Sequence, residues 1–243
     1  MSARREAPPA SWSDRLYRTF VIESFGTREA AIDSFLSGTF IKNLPKMTDR
    51  KSILICGPTR GGTSFAASAF FRLGVPFTRD PEDKLSIRLE HSELQRAFSA
   101  QNWGMIERIV GEFRYLHSVW GWKLPAIESR FSKMMEMIPN THAVMIFKEP
   151  LSVAARKAIV RKRDPLQHLQ EVAGVYGRMA TLAASTEDPL LMISYDKAVA
   201  NLPAFLKVAA HYAGITSYDE SSVIAGIQED QRRYLQGKSA GAA

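Results

Sequence analysis

Residues 52–64 read Ser-Ile-Leu-Ile-Cys-Gly-Pro-Thr-Arg-Gly-Gly-Thr-Ser, and this stretch decides the fold. The apolar, β-branched run at 52–56 predicts a strand buried on both faces. A glycine-rich turn follows at 57–62, and residues 63–73 then take a helical period. A strand that turns through glycines into a helix leaves the first backbone N–H groups of that helix aimed at one spot. The helix dipole favours an anion there. Thr63 and Ser64 add hydroxyl donors, and Arg60 places a fixed cation inside the turn. Glycines serving only tight packing would also make such a corner, but Arg60, Thr63 and Ser64 in register favour the anion site.

The spacing Gly57-x4-Gly62 is that of a nucleotide phosphate-binding loop. Position 63 departs from it, since Thr stands where that loop carries a lysine for the β and γ phosphates. The usual partner of the loop is a strand ending in an aspartate that holds Mg²⁺. The best candidate strand, residues 143–147, ends instead in Lys148-Glu149-Pro150. A cation there repels a metal and attracts an anion, so no metal site is expected. Both departures argue against cleavage of a nucleoside triphosphate.

Outward from the loop, apolar runs at 119–122, 143–147 and 190–193 predict further strands. Helical periods at 91–101, 104–115, 126–137, 150–162, 165–185 and 201–213 separate them. Alternation of this kind predicts an α/β fold: a three-layer parallel sheet flanked by helices, of the P-loop nucleotidase type. Before it, residues 13–25 and 28–42 read as two amphipathic helices, so an N-terminal tail and helical arm is expected over 1–48 and the α/β domain over 49–243. The chain has 243 residues, 45% hydrophobic and 23% charged, which excludes a disordered or low-complexity protein. Its single cysteine, Cys56, excludes an intrachain disulfide and a Cys-built zinc site. No run approaches the ~20 apolar residues of a membrane span, and no targeting segment is read, so a cytoplasmic protein is expected. The net charge of +7 points to an anionic partner without naming it.

Thr59-Arg60-Gly61-Gly62-Thr63-Ser64 resembles the 5′-phosphosulfate loop of the sulfotransferases that use 3′-phosphoadenosine 5′-phosphosulfate. Arg60, Gly62, Thr63 and Ser64 match, while Thr59 and Gly61 replace the usual Pro and Ser. The segment from Lys148 to Arg156 is similar to that family's 3′-phosphate motif, in which Arg-Asp-Pro opens a helix and a Ser lies eight residues after the Arg. Here Lys148 and Glu149 are conservative changes, and Arg156 stands in place of the Ser. Trp120-Gly121-Trp122-Lys123-Leu124-Pro125 resembles the Trp-x-x-Lys-x-Pro strand end of bacterial and carbohydrate-type members. Segments 88–94 and 194–203 resemble two further family stretches, and the matches run in family order from about 52 to 215.

The resemblance implies transfer of a sulfuryl group from 3′-phosphoadenosine 5′-phosphosulfate, as co-substrate, to an acceptor hydroxyl of a carbohydrate, lipid or small metabolite. It implies donor binding by Arg60, Gly61, Gly62, Thr63, Ser64, Lys148 and Arg156, and catalysis by Arg60, Lys123 and Glu90. Arg60 faces the charge that grows on the leaving phosphate, Lys123 neutralises the sulfuryl oxygens, and Glu90 takes the acceptor proton. Asp83 and His91 are the other candidate bases. For Glu90 an exposed helix-start carboxylate is an equal alternative, and for His91 a solvent-facing side chain is preferred. Trp120, Trp122 and Tyr195 are either adenine platforms or core. The basic residues Arg161, Lys162, Arg163, Arg232, Arg233 and Lys238 are read as solvated faces or extensions of the anion site. The competing functions are a P-loop nucleotide-dependent kinase and a basic, non-enzymatic nucleic-acid-binding protein. The kinase lacks its lysine and aspartate, and the basic residues are scattered without a nucleic-acid-binding motif.

Overall fold

The computed structural model describes residues 36–43, 49–78, 89–162 and 164–239. The helix expected at 13–25, most of that at 28–42, and Asp83 and Arg163 lie outside them. Five strands form one sheet: β1 (Thr39–Lys42), β2 (Lys51–Cys56), β3 (Val119–Lys123), β4 (Thr141–Phe147) and β5 (Leu190–Ser194), in the order β1-β5-β4-β2-β3. The pairs β2–β3, β2–β4 and β4–β5 are parallel, as the apolar runs predict. Strand β1 is antiparallel to β5, with Thr39 opposite Ile193 and Lys42 opposite Leu190. This corrects the helix expected over 28–42, whose end is a strand. Thr39 and Ile41 are buried while Phe40 and Lys42 are partly exposed, the alternation of an edge strand with one face on the core.

The helices are α1 (Thr63–Arg72), α2 (Ser92–Ser99), α3 (Trp103–Leu116), α4 (Phe131–Met137), α5 (Pro150–Arg161), α6 (Pro165–Ser185), α7 (Tyr195–Ala200), α8 (Leu202–Ala213) and α9 (Glu220–Ser239). Two apolar cores lie on the two faces of the sheet. One joins Ile53, Ile55, Val144 and Ile146 to α1, α8 and α9. The other joins Leu54, Ala143 and Met145 to α2, α3, α4 and α6. Alternate residues of β2 and β4 thus serve opposite layers, which is why their sequences read as unbroken apolar runs. Among the described residues no helix is long and apolar enough to cross a membrane.

The parallel pairing sets the C-terminal ends of β2, β3, β4 and β5 along one rim. Strand β2 leads to β3 on one side, whereas β4, its neighbour on the other side, leads to β5. Connections diverging from adjacent strands open a crevice between them, the usual ligand position in an open α/β sheet.

Candidate functional site

A cleft at that rim is lined by residues of the glycine loop and of four other segments: Arg60, Gly62, Thr63 and Ser64 from the loop, Glu90, Lys148, Arg156 and Tyr195, and Gln231 and Tyr234 from α9. Residues up to 174 positions apart in the chain meet here, because the loop, Lys148 and Tyr195 follow the ends of β2, β4 and β5 and α9 packs on α1.

The loop is shaped by backbone that other residues resist. Gly62 has φ 98°, and a Cβ there would collide with the Tyr195 ring. Gly61 donates its N–H to the Pro58 carbonyl at 2.8 Å, closing the turn. Arg60 adopts φ 72°, a left-handed conformation that non-glycine residues visit only at a cost of ~1 kcal/mol or more. The N-terminus of α1 carries no side-chain cap and no acidic residue in its first turn. No capping side chain therefore accepts from its first N–H groups, although the Phe65 N–H donates to the Gly62 carbonyl at 2.9 Å. The N-terminus of α5 is closed in contrast: the Glu149 carboxylate accepts from the N–H groups of Leu151 at 2.7 Å and Ser152 at 2.6 Å. Those donors hold the Glu149 carboxyl below the usual carboxylate range.

Lys123 ends β3 beside the loop strand and is 1% exposed. Its ammonium donates to Ser64 Oγ at 3.1 Å and pairs with Glu90 Oε1 at 2.7 Å. A cation from the neighbouring strand is thus held against the second residue of α1. Glu90 is accordingly not a solvated helix-start carboxylate: it precedes the cap of α2 and neutralises a buried lysine. The cap itself is His91, whose Nδ1 accepts from the Leu94 N–H at 3.3 Å. His91 is not among the residues lining the cleft.

A second cationic group lies across the cleft. Lys148, at the end of β4, holds its ammonium 4.3 Å from the centre of the Tyr195 ring. Burial pushes the Lys148 amine below the ordinary lysine value, with Asp196 pulling it up and Arg156 adding to the depression. Arg156, two turns into α5, lies over the Tyr234 ring at 5.4 Å. Tyr234 also accepts from Arg60 Nη1 at 3.4 Å, so one tyrosine touches the cations of both groups. The structure therefore brings Arg60, Gly62, Thr63, Ser64, Glu90, Lys148 and Arg156 to one cleft, with Lys123 bonded to its wall and Gly61 buried within the loop.

Trp120 and Trp122 do not reach it. They are 2% and 1% exposed and belong to the core on the α3 face, where Trp120 stacks on Phe113. Of the three aromatic candidates only Tyr195 lines the cleft. Arg161 and Lys162 are exposed at the far end of α5. Arg232 and Arg233 are exposed on α9 and paired with Glu229, and neither lines the cleft. Sequence reasoning missed α9 itself, and with it Asp230, Gln231 and Tyr234. The signal was present: Val223, Ile227, Asp230 and Tyr234 recur at steps of four, three and four, the inward stripe of a helix. A buried Asp in that stripe broke the apolar pattern. Asp230 takes two hydrogen bonds from Arg72, at 2.6 and 3.0 Å, and one from Ser68 at 2.6 Å, which fix α9 to α1. No group of three or more His, Cys, Asp or Glu side chains placed to hold a metal occurs among the described residues.

Neither a family model nor a curated protein sequence matches the chain. Among solved structures it is similar to the sulfotransferase domain of the olefin synthase of Synechococcus PCC 7002, at 12% identity and TM-score 0.52, over 76% of this chain and 80% of that one. A sulfotransferase of Mycobacterium tuberculosis H37Rv aligns at 12% identity and TM-score 0.45, over 74% of this chain and 71% of that one. Shikimate kinase of Bacteroides thetaiotaomicron aligns at 13% identity and TM-score 0.41, over 76% of this chain and 98% of that one. The first of these likenesses shows the fold, a mixed α/β architecture with a central sheet flanked by helices.

Proposed function

We propose that this chain is a sulfotransferase that moves a sulfuryl group from 3′-phosphoadenosine 5′-phosphosulfate to the hydroxyl of an acceptor. The observation that carries the proposal is the presence of two separate cationic groups in one cleft, Arg60 with the open α1 terminus and Lys148 with Arg156. A donor with an anion at each end of its ribose has a partner at each group. A mononucleotide uses only one.

The remaining groups suit the chemistry. In the transfer the bond from sulfur to the phosphate oxygen breaks, a bond from sulfur to the acceptor oxygen forms, and the hydroxyl proton leaves. The phosphate oxygen gains negative charge, which Arg60 and the first N–H groups of α1 stabilise. Lys123, bonded to Ser64 and Glu90 of the cleft wall, offsets charge on the sulfuryl oxygens. Glu90, held 2.7 Å from Lys123, takes the acceptor proton. As the sulfuryl group draws Lys123 toward itself, Glu90 is freed from part of its pairing and becomes a better acceptor for that proton. No step calls for a divalent cation, since protein cations meet the charge.

The test is consumption of the phosphosulfate donor with a panel of carbohydrate, lipid and small aromatic hydroxyl acceptors, with chelator present. Release of adenosine 3′,5′-bisphosphate with matching sulfation of an acceptor is the expected outcome. Mg²⁺-stimulated ATP turnover, with no reaction of the phosphosulfate, would overturn the proposal.

A further inference from the structure

The turn from β4 into α5 is pinned by a side chain that does not line the cleft. The ladder of β4 ends with Phe147 opposite Ser194 on one side and Met145 opposite Cys56 on the other. Lys148 lies just beyond it, so no strand partner meets its N–H or its carbonyl. Both groups meet the hydroxyl of Tyr176, on α6. That hydroxyl accepts from the Lys148 N–H at 2.9 Å and donates to the Lys148 carbonyl at 2.5 Å. Burial raises the phenol above its ordinary value, so it keeps the proton it donates. The Tyr176 ring lies 5.4 Å from the Phe147 ring, and α6 packs along α5. The next N–H along the chain, that of Glu149, donates to Asp196 at 3.1 Å.

Neither packing nor backbone pairing alone calls for a tyrosine here. A phenylalanine would make the same contact with Phe147. Lys148 is only partly buried and Glu149 is exposed, and backbone groups this close to solvent can pair with water. What water cannot do is hold the backbone in one place. A lysine ammonium stands at the end of a flexible four-carbon stem, so its position is set first by where its backbone is held. The held Lys148 lays its ammonium 4.3 Å from the centre of the Tyr195 ring, a ring that lines the cleft. We propose that Tyr176 is a positioning residue for donor recognition, whose hydroxyl holds the Lys148 backbone so that the ammonium meets the 3′-phosphate. The proposal rests on the reading of Lys148 given above. It adds a residue from outside the cleft, since Tyr176 is not among those that line it.

The test compares wild type, Tyr176→Phe, Lys148→Met and the double variant by calorimetric titration with adenosine 3′,5′-bisphosphate and with 5′-AMP. A 5′-phosphate is met by Arg60 and the α1 terminus, so 5′-AMP reports whether the fold and that cationic group are intact. Phenylalanine keeps the ring against Phe147 and removes both hydrogen bonds to Lys148. Tyr176→Phe is expected to bind 5′-AMP as wild type does and the bisphosphate about tenfold more weakly, the scale of one charge-assisted contact. In the Lys148→Met background the same substitution is expected to weaken the bisphosphate no further, since no ammonium is left to position. Wild-type affinity of Tyr176→Phe for the bisphosphate would overturn the positioning role and leave the cleft reading in place. Equal loss of both ligands, or an undiminished further loss in the Lys148→Met background, would make Tyr176 a structural residue and overturn the role as well. A wild type that binds the two nucleotides equally would remove the reading of Lys148 itself, and the proposal with it.

Discussion

Arg60 combines a functional group with an unfavourable backbone, φ 72°, which separates its two roles experimentally. Arg60→Gly removes the guanidinium and relieves the left-handed strain, so stability is expected to hold or rise. Turnover is expected to fall on the order of 10²–10³-fold, as for loss of one preorganised donor to a developing anion, with a smaller change in affinity for the spent nucleotide. Denaturant melts beside steady-state kinetics check both; a turnover within a few-fold of wild type would make Arg60 a loop residue only. Glu90 behaves differently. Its carboxylate faces a lysine that is 1% exposed, so Glu90→Gln leaves a buried cation short of its partner. The variant is therefore expected to lose stability as well as acceptor reaction, the latter ~10²–10⁴-fold as for a general base. Lys123→Met with Glu90→Gln removes both charges together. That double variant is expected to recover stability without recovering activity, as read by melting temperature and product formation.

Helix α9 is the element on which the cleft depends and the one the sequence hid best. Its inward stripe is half polar, with Asp230 and Tyr234 at positions a packing rule fills with Leu or Val. Asp230→Ala strips Arg72 and Ser68 of their acceptor, and a loss of about 1–3 kcal/mol in urea unfolding is expected. Affinity for the bisphosphate should drop with it, since the same contacts hold Tyr234 against Arg60 and Arg156; unchanged affinity would show that α9 is not held by this clamp. Strand β1 escaped for another reason. Four residues are too few to show a period of two against the flanking apolar residues, and its partner β5 lies some 150 positions away. The parallel strands, by contrast, were legible because burial on both faces writes itself as a run such as Ile53-Leu54-Ile55. The loop was legible because glycines cannot be exchanged where φ is 98° and a neighbouring ring leaves no room for a Cβ. What the sequence could not convey was pairing: that the Lys123 ammonium meets Ser64 and Glu90 depends on β3 lying beside β2.

Across the whole molecule, four parallel strands deliver their chemistry to one rim and leave two cationic groups facing one cleft. That arrangement makes ligand binding and pH interdependent. Burial lowers the Lys148 amine below its ordinary value, so in the window between its folded and unfolded values the unfolded chain binds more protons. Stability of the free protein should accordingly rise as pH rises through that window, and Lys148→Met should flatten the rise. Affinity for a bisphosphorylated ligand should move the opposite way, weakening as pH rises through the lowered Lys148 value, since the neutral amine no longer pairs with phosphate. The most direct measurement of the central claim is calorimetric titration with adenosine 3′,5′-bisphosphate and with 5′-AMP, at neutral pH and without divalent ions. Two occupied cationic groups against one predict a preference of ~10-fold or more for the bisphosphate, because one charge-assisted contact contributes roughly 1.5–3 kcal/mol. Equal affinity for the two nucleotides would contradict it.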